Sequence, residues 1–164
     1  MIIKNLIKNL SSNDWERALN ASDELVKINS KDIVPQLILV LNMAETTDTV
    51  NATALALREI GGKESVPFLI QALNNPLNKN NKSTIVYALE NLDCSKYFLT
   101  IFDLFVFSKK DDVRLSAYSI LKEQKFTLTD SELKKANEML SSSEISSDDK
   151  EISEKFISQV KRDK

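Results

Sequence analysis

DTVNATALALREIGGKESVPFLIQALNNP, residues 48–76, is the stretch whose reading decides the fold. It reads as two short amphipathic helices with a two-glycine break between them. Thr53, Ala54, Ala56, Leu57 and Ile60 form the apolar side of the first helix, at the three-to-four spacing of a buried helical face. Gly61 and Gly62 end it, and the expectation is a left-handed C′ residue, which glycine adopts without a Cβ clash. Ser65 stands where an N-cap belongs. Pro67 falls in the next first turn, where a missing N–H costs nothing. Val66, Leu69, Ile70 and Leu73 make the second apolar face, and Asn74, Asn75 and Pro76 stop it.

The same unit recurs at a step of 32 residues. Taking Thr49 as an anchor, the equivalents are Arg17, Asn81 and Val113. Leu25, Leu57, Leu89 and Leu121 share one phase, and Val34, Val66 and Phe98 another. Leu37-Ile38, Leu69-Ile70 and Ile101-Phe102 share a third, as do Leu41, Leu73 and Phe105. VPQLI from Val34 and VPFLI from Val66 repeat almost residue for residue. The last unit keeps the pattern in its first helix and loses it in its second. Unrelated amphipathic helices show apolar spacing, but not a constant step with Val-Pro at one phase.

These residues resemble a HEAT repeat, in particular the short bacterial kind called phycobilisome-lyase HEAT-like. That pattern runs V-R-x-x-A-A-x-A-L-x-x-I-G and then V-P-x-L-I-x-x-L. TALALREIGGKESVPFLIQAL matches it, and VRLSAYSIL from Val113 matches its first half. Ankyrin repeats need a His in their T-P-L-H motif, and the chain has none. Tetratricopeptide repeats need Trp, Gly and Tyr in one helix, and Trp15 stands alone. The resemblance spans about Asn13 to Leu140. It implies an all-α chain: a right-handed α-α superhelix of about four helical pairs, with an N-terminal capping helix and a C-terminal helix. Residues 1–140 are expected to form this solenoid, and 141–164 a serine-acidic linker with a short amphipathic helix.

Composition is consistent with that architecture. Only 2 Gly and 3 Pro leave little room for strands or long loops. A net charge of −2 argues against sequence-independent nucleic-acid binding, which needs a basic face. One cysteine, Cys94, fits a reducing, cytoplasmic setting. The bias to Asn, Lys, Ile and Ser goes with an AT-rich bacterial genome. MIIKNLIKNL, punctuated by Lys4 and Lys8, lacks a signal-peptide core, and no apolar run is long enough to span a membrane.

Along the chain, Ile2, Ile3, Leu6, Ile7 and Leu10 form one face of a helix expected to cover the open end of the array. Asn13 and Glu16 have the spacing of a capping box. Residues 11–48 carry the largest local imbalance. Asp14, Glu16, Asp23, Glu24, Asp32, Glu45 and Asp48 stand against Arg17, Lys27 and Lys31. This is either solvated helix surface or a patch that steers a basic partner. The helix from Ile33 to Met43 has more apolar residues than one face needs, as Leu39, Val40 and Met43 add to Val34, Leu37, Ile38 and Leu41. The surplus packs under the N-terminal helix or belongs to a binding surface. LNKNNK, from Leu77, reads as a polar loop tip, open to a partner or to drift. The helix from Tyr97 is apolar nearly all round, which means burial on several sides or an anchor patch. Thr129 to Glu132 is a capping box. Ile152, Phe156 and Val160 give the last helix a stripe that favours docking.

No catalytic chemistry is legible. Without His there is no Ser–His–Asp or Cys–His set, no metal-ligand cluster and no cofactor motif. The expectation is a non-enzymatic protein-binding module, monomeric before its partner arrives, with no nucleic-acid or membrane ligand. The specific form considered first is an immunity protein that blocks a basic bacterial toxin domain by covering its active site. A regulatory or assembly scaffold in a cytoplasmic complex is the alternative. Relatives of the resembling family attach bilins or excise alkylated bases, but the charge here does not suit the second activity. In HEAT-like stacks the second helices line the concave surface. By phase, the contact residues there are Gln36 and Leu39, then Phe68 and Gln71, then Thr100, Asp103, Leu104 and Phe107.

Overall fold

The structure, a computed structural model, describes residues 2–141 and 145–162. Ser142, Ser143 and Glu144 of the expected linker lie outside the described residues. The described chain is helical almost throughout: α1 (Ile2–Leu10), α2 (Trp15–Ile28), α3 (Val34–Met43), α4 (Thr47–Ile60), α5 (Val66–Asn74), α6 (Lys82–Leu89), α7 (Phe98–Phe107), α8 (Asp111–Glu123), α9 (Asp130–Leu140) and α10 (Ser147–Gln159). The helices are packed as a HEAT-like repeat fold, all-α as the sequence implies. One short parallel ladder is added, in which β1 (Thr127–Leu128) pairs with β2 (Lys161–Arg162).

The 32-residue step is visible in the helix starts. α2 and α4 begin at Trp15 and Thr47, and α3, α5, α7 and α9 at Val34, Val66, Phe98 and Asp130. The last of these belongs to the fourth unit. Its second helix keeps the step although its side-chain pattern has drifted. α6 starts late because Pro76–Asn78 forms a 3-10 turn ahead of it. That loop is no free tip. Asn78 is buried, its amide donates to the Ala72 carbonyl at 2.9 Å, and the Asn81 amide donates to Asn78 at 3.5 Å.

The chain divides into two compact units, Met1–Asp93 and Cys94–Lys164. In the first, α2, α4 and α6 pack in order as one layer, and α3 and α5 as the other. α1 lies on α2, α3 and α4, with Leu10 fully buried, so it does cover this end of the core. Each aliphatic side chain buried this way contributes roughly 1.5–3 kcal/mol. Trp15 sits at the rim, 39% exposed.

Helix ends show where local chemistry differs from expectation. α2 is capped by Asp14, whose carboxylate accepts from the Arg17 N–H at 3.1 Å, and not by Asn13. Its other end carries the left-handed residue, Asn29, at φ 49°. Gly61 is not left-handed (φ −65°, ψ 179°). A Cβ there would lie 2.2 Å from the Leu57 carbonyl oxygen and 2.9 Å from Ser65 Oγ, so glycine is needed for close approach. Ser65 makes no side-chain cap to α5; its buried hydroxyl instead accepts from the Gly62 N–H at 3.5 Å.

The carbonyls left without a helical donor at the end of α4 are met by a lysine one repeat earlier. Lys31 Nζ donates to Ile60 O at 2.9 Å and Gly61 O at 2.8 Å. A cation is favourable at a helix C-terminus, where the dipole is negative. Lys31→Met is expected to lower stability by about 1 kcal/mol. Urea titration checks this, and the exposed Lys63→Met is the control.

In the second unit α7 packs on α8 and α9, and α10 docks on α7 and α9. Phe98, Phe102 and Phe126 form one aromatic cluster, and Phe105, Tyr118 and Phe156 another. The expected capping box of α9 is present. Thr129 N–H donates to Glu132 at 2.9 Å, while the Glu132 N–H donates to Thr129 Oγ1 at 3.3 Å. Ser146 caps α10, so the serine-acidic run is structured at that end, and the Ile152–Phe156 stripe docks as its spacing suggests.

Candidate functional site

In α3, successive residues are turned by about 100°. Leu37 and Leu41 point into the first unit and are buried. Gln36, Leu39 and Met43 then fall within an arc of about 60° on the opposite side. The structure leaves all three exposed, Leu39 at 58% and Met43 at 69%. Half-buried Val40 adjoins them, so the surface is a continuous apolar stripe and not an isolated side chain. α1 packs against α3 and still leaves the stripe uncovered. Leu39 and Met43 therefore do not pack under the N-terminal helix.

One repeat on, Phe68, Gln71 and Asn75 occupy the same arc of α5 and its C-cap. Gln71 and Asn75 are exposed and Phe68 is half-buried. α3 and α5 are neighbours, so the first unit presents a two-helix face, apolar on α3 and mostly polar on α5. Four of the residues proposed from sequence therefore share this face: Gln36, Leu39, Phe68 and Gln71.

The other four lie on α7, in the second unit. Asp103 is exposed, and Thr100 and Phe107 are half-buried, on the arc equivalent to Gln36, Leu39 and Met43. Leu104 is a correction. It is buried, at 8% exposure. Its position is turned about 60° from Ile101, against the packed face, and outside the 60° arc of the other three. Phe98, Ile101, Phe102, Phe105 and Val106 are buried too, so the all-round apolar character of α7 reflects burial.

Met43 and Asn75 are the members that phase reasoning omitted. Both were legible: Met43 is four residues after Leu39, and Asn75 is 32 after Met43.

The ends of α3 carry the charge of this face. Asp32 precedes the helix in a 3-10 turn and Glu45 follows it, and both are exposed. Neither carboxylate has an ion pair or hydrogen-bond partner among the described residues. Lys31, adjacent to Asp32, is committed to the Ile60 and Gly61 carbonyls. At the Glu45 end, Met43 and Glu45 line a recess of about 160 Å³ with Ser11, Asn13, Thr46 and Thr49.

The opposite face of the unit offers different chemistry. A groove of about 180 Å³ is lined by Asp23, Val26, Leu55, Arg58, Glu59 and Tyr87. Arg58 is already occupied there. Its guanidinium lies 3.8 Å from the Tyr87 ring centroid, donates to the Tyr87 carbonyl, and pairs with Glu59 at 3.3 Å and Glu90 at 3.6 Å. In the second unit Arg114 pairs with Asp149 at 2.6 Å. Two arginines that could have met phosphates are thus held by carboxylates.

Among the described residues no group of three or more His, Cys, Asp or Glu could hold a metal ion, and no helix is long and apolar enough to cross a membrane. A family model of HEAT repeats matches residues 3–90, more than half of the chain. No curated protein matches it.

Proposed function

The chain belongs to the HEAT-repeat family, and from that premise we propose that it is a non-enzymatic module whose exposed α3–α5 face grips another protein. HEAT repeats generally mediate protein–protein interaction, and what carries the reading here is the uncovered stripe of Gln36, Leu39 and Met43. Exposed apolar side chains in a continuous patch, rimmed by polar groups, have the anatomy of an interface core. Gln71 and Asn75 supply the polar side of that rim.

The finer reading is an immunity protein that covers the active site of a basic toxin domain in the bacterial cytoplasm. One feature supports it. The acid excess of residues 11–48 is only partly consumed internally, through the Asp14 cap and the Glu24–Lys27 pair at 2.6 Å. Unpaired acids speed and orient the encounter with a cationic partner. The scaffold reading shares the same face and differs in what is bound.

The test is capture of partners from the source cells by tagged protein, followed by mass spectrometry. Leu39→Asp combined with Met43→Asp is expected to weaken capture at least tenfold, because a carboxylate would be buried in an apolar contact. Both sites are exposed, so the melting temperature should stay within a few degrees of the parent. A small basic polypeptide that kills cells when expressed alone supports the immunity reading. A larger enzyme subunit supports the scaffold. Undiminished capture by the double variant would move the interface off this face.

A further inference from the structure

The arrangement of charge and apolar surface along α3 says more about the segment that lies on it. The stripe runs from Gln36 through Leu39 to Met43, the spacing at which one helix meets another. Asp32 stands at its start and Glu45 at its end, both exposed and both without a partner among the described residues. The separation of these two acids is 13 residues, which is about 20 Å at 1.5 Å per residue. The cation nearest the first acid in sequence, Lys31, is turned away to the end of α4. At the second acid, Glu45 and Met43 share the Ser11–Asn13–Thr46 recess, which has room for the end of a long side chain. A similar acid, Glu64, precedes α5, but Lys63 beside it offsets the charge there, so the case rests on the ends of α3.

We infer that the α3 stripe takes an amphipathic helix of the partner that carries apolar anchors at i, i+3 or i+4, and i+7. That helix has a lysine or arginine near each end, about 13 residues apart. Helix-in-groove recognition supplies the contact, through apolar anchors laid along a complementary stripe. The two acids select partners by charge and set the register, since a helix shifted by one turn loses both end contacts. The inference rests on the α3 face proposed above and adds the chemistry of what binds it.

The experiment uses the full chain and two synthetic helical peptides of about 18 residues. Both share one leucine stripe; one carries Lys at the two end positions, the other Glu. Fluorescence anisotropy reads the affinity. The Lys peptide is expected to bind at least tenfold more tightly than the Glu peptide, and less tightly as salt rises. Asp32→Lys combined with Glu45→Lys is expected to reverse the preference. Leu39→Asp with Met43→Asp is expected to abolish binding of both peptides. Equal affinity for the two peptides, or no reversal in the charge-swapped variant, overturns the inference and leaves the interface reading standing. No binding of either peptide, while capture of a natural partner still depends on Leu39 and Met43, also overturns the inference alone. Loss of that dependence overturns the interface reading itself.

Discussion

Phe156→Ala is expected to release α10 from the second unit, with a loss of about 3 kcal/mol. Phe156 is 7% exposed and meets two rings edge-on, Phe105 at 5.7 Å and Tyr118 at 5.5 Å between centroids. The Arg114–Asp149 pair and the β1–β2 ladder hold its two ends, and Phe156 is its apolar anchor between them. Ser153 is fully buried, but its hydroxyl has no hydrogen-bond partner among the described residues, so its burial opposes docking. A helix of this length is marginal in water by itself, so losing the aromatic anchor should unfold it and not merely move it. Amide hydrogen exchange checks this: α10 should lose protection in the variant while α7 and α8 keep theirs. Retained protection in α10 would mean that its docking rests elsewhere.

Acid should loosen the same helix. Burial pushes the Asp149 carboxyl upward, but hydrogen bonds from Arg114 and Ser146, with the charge of Arg114, outweigh it and hold the group below its ordinary value. A group depressed in the folded state contributes stability that is fully present above its unfolded value. That contribution is lost as pH falls through the folded one. The loss therefore begins near about pH 4 and grows below it. Glu132 adds in the same direction, since hydrogen bonds from the Thr129 N–H and hydroxyl hold its carboxyl down. In Arg114→Ala the folded-state carboxyl moves back toward its unfolded value, so α10 protection should be lower already at neutral pH and should fall less with acid than in the parent.

Gly61→Ala is expected to cost about 2 kcal/mol or more, and Gly62→Ala less than about 1 kcal/mol. The contrast separates two explanations of one Gly-Gly pair. If glycine served left-handed geometry, the residue with positive φ would be the sensitive one, and neither glycine has it. Gly61 is instead crowded by backbone, the Leu57 carbonyl, which cannot step aside without disturbing the end of α4. Gly62 would meet only the end of the Glu64 side chain, at 2.4 Å, and that chain is free to rotate away. Chemical unfolding of the two variants decides the matter. Equal losses would show that the crowding at Gly61 relaxes.

The fold was legible because its cause is periodic. A buried helix face must repeat every three to four residues, and a stack of like units must repeat at its own step. Both periods survive in Leu25, Leu57, Leu89 and Leu121. The site was legible only as phase. Gln36, Leu39, Phe68 and Gln71 were placed on one face because phase fixes direction. Leu104 was misplaced because direction was read too broadly, and Met43 was omitted although it obeys the same rule. Caps were the least readable. Asp14 and Asn13 are equally good caps by residue type, and only the path of the chain into α2 selects Asp14. The division at Asp93 had no composition shift to mark it. The acids of residues 11–48 could not be sorted in advance, since sequence does not show that Glu24 meets Lys27 or that Lys31 turns from Asp32 to the end of α4.

Among the described residues several polar contacts link positions about one repeat apart, the following three among them. Lys31 reaches Gly61, Arg58 reaches the Tyr87 carbonyl, and the Cys94 N–H donates to Gln124 Oε1 at 2.8 Å. The separations are 30, 29 and 30 residues, just under the 32-residue step. In a linear array, melting is governed by each module's own free energy and by its coupling to the next. These contacts sit in the coupling. Weakening one should therefore leave every module folded at low denaturant yet blur the transition. Modules on either side of the cut would then melt at separate midpoints, and different optical probes would cease to coincide.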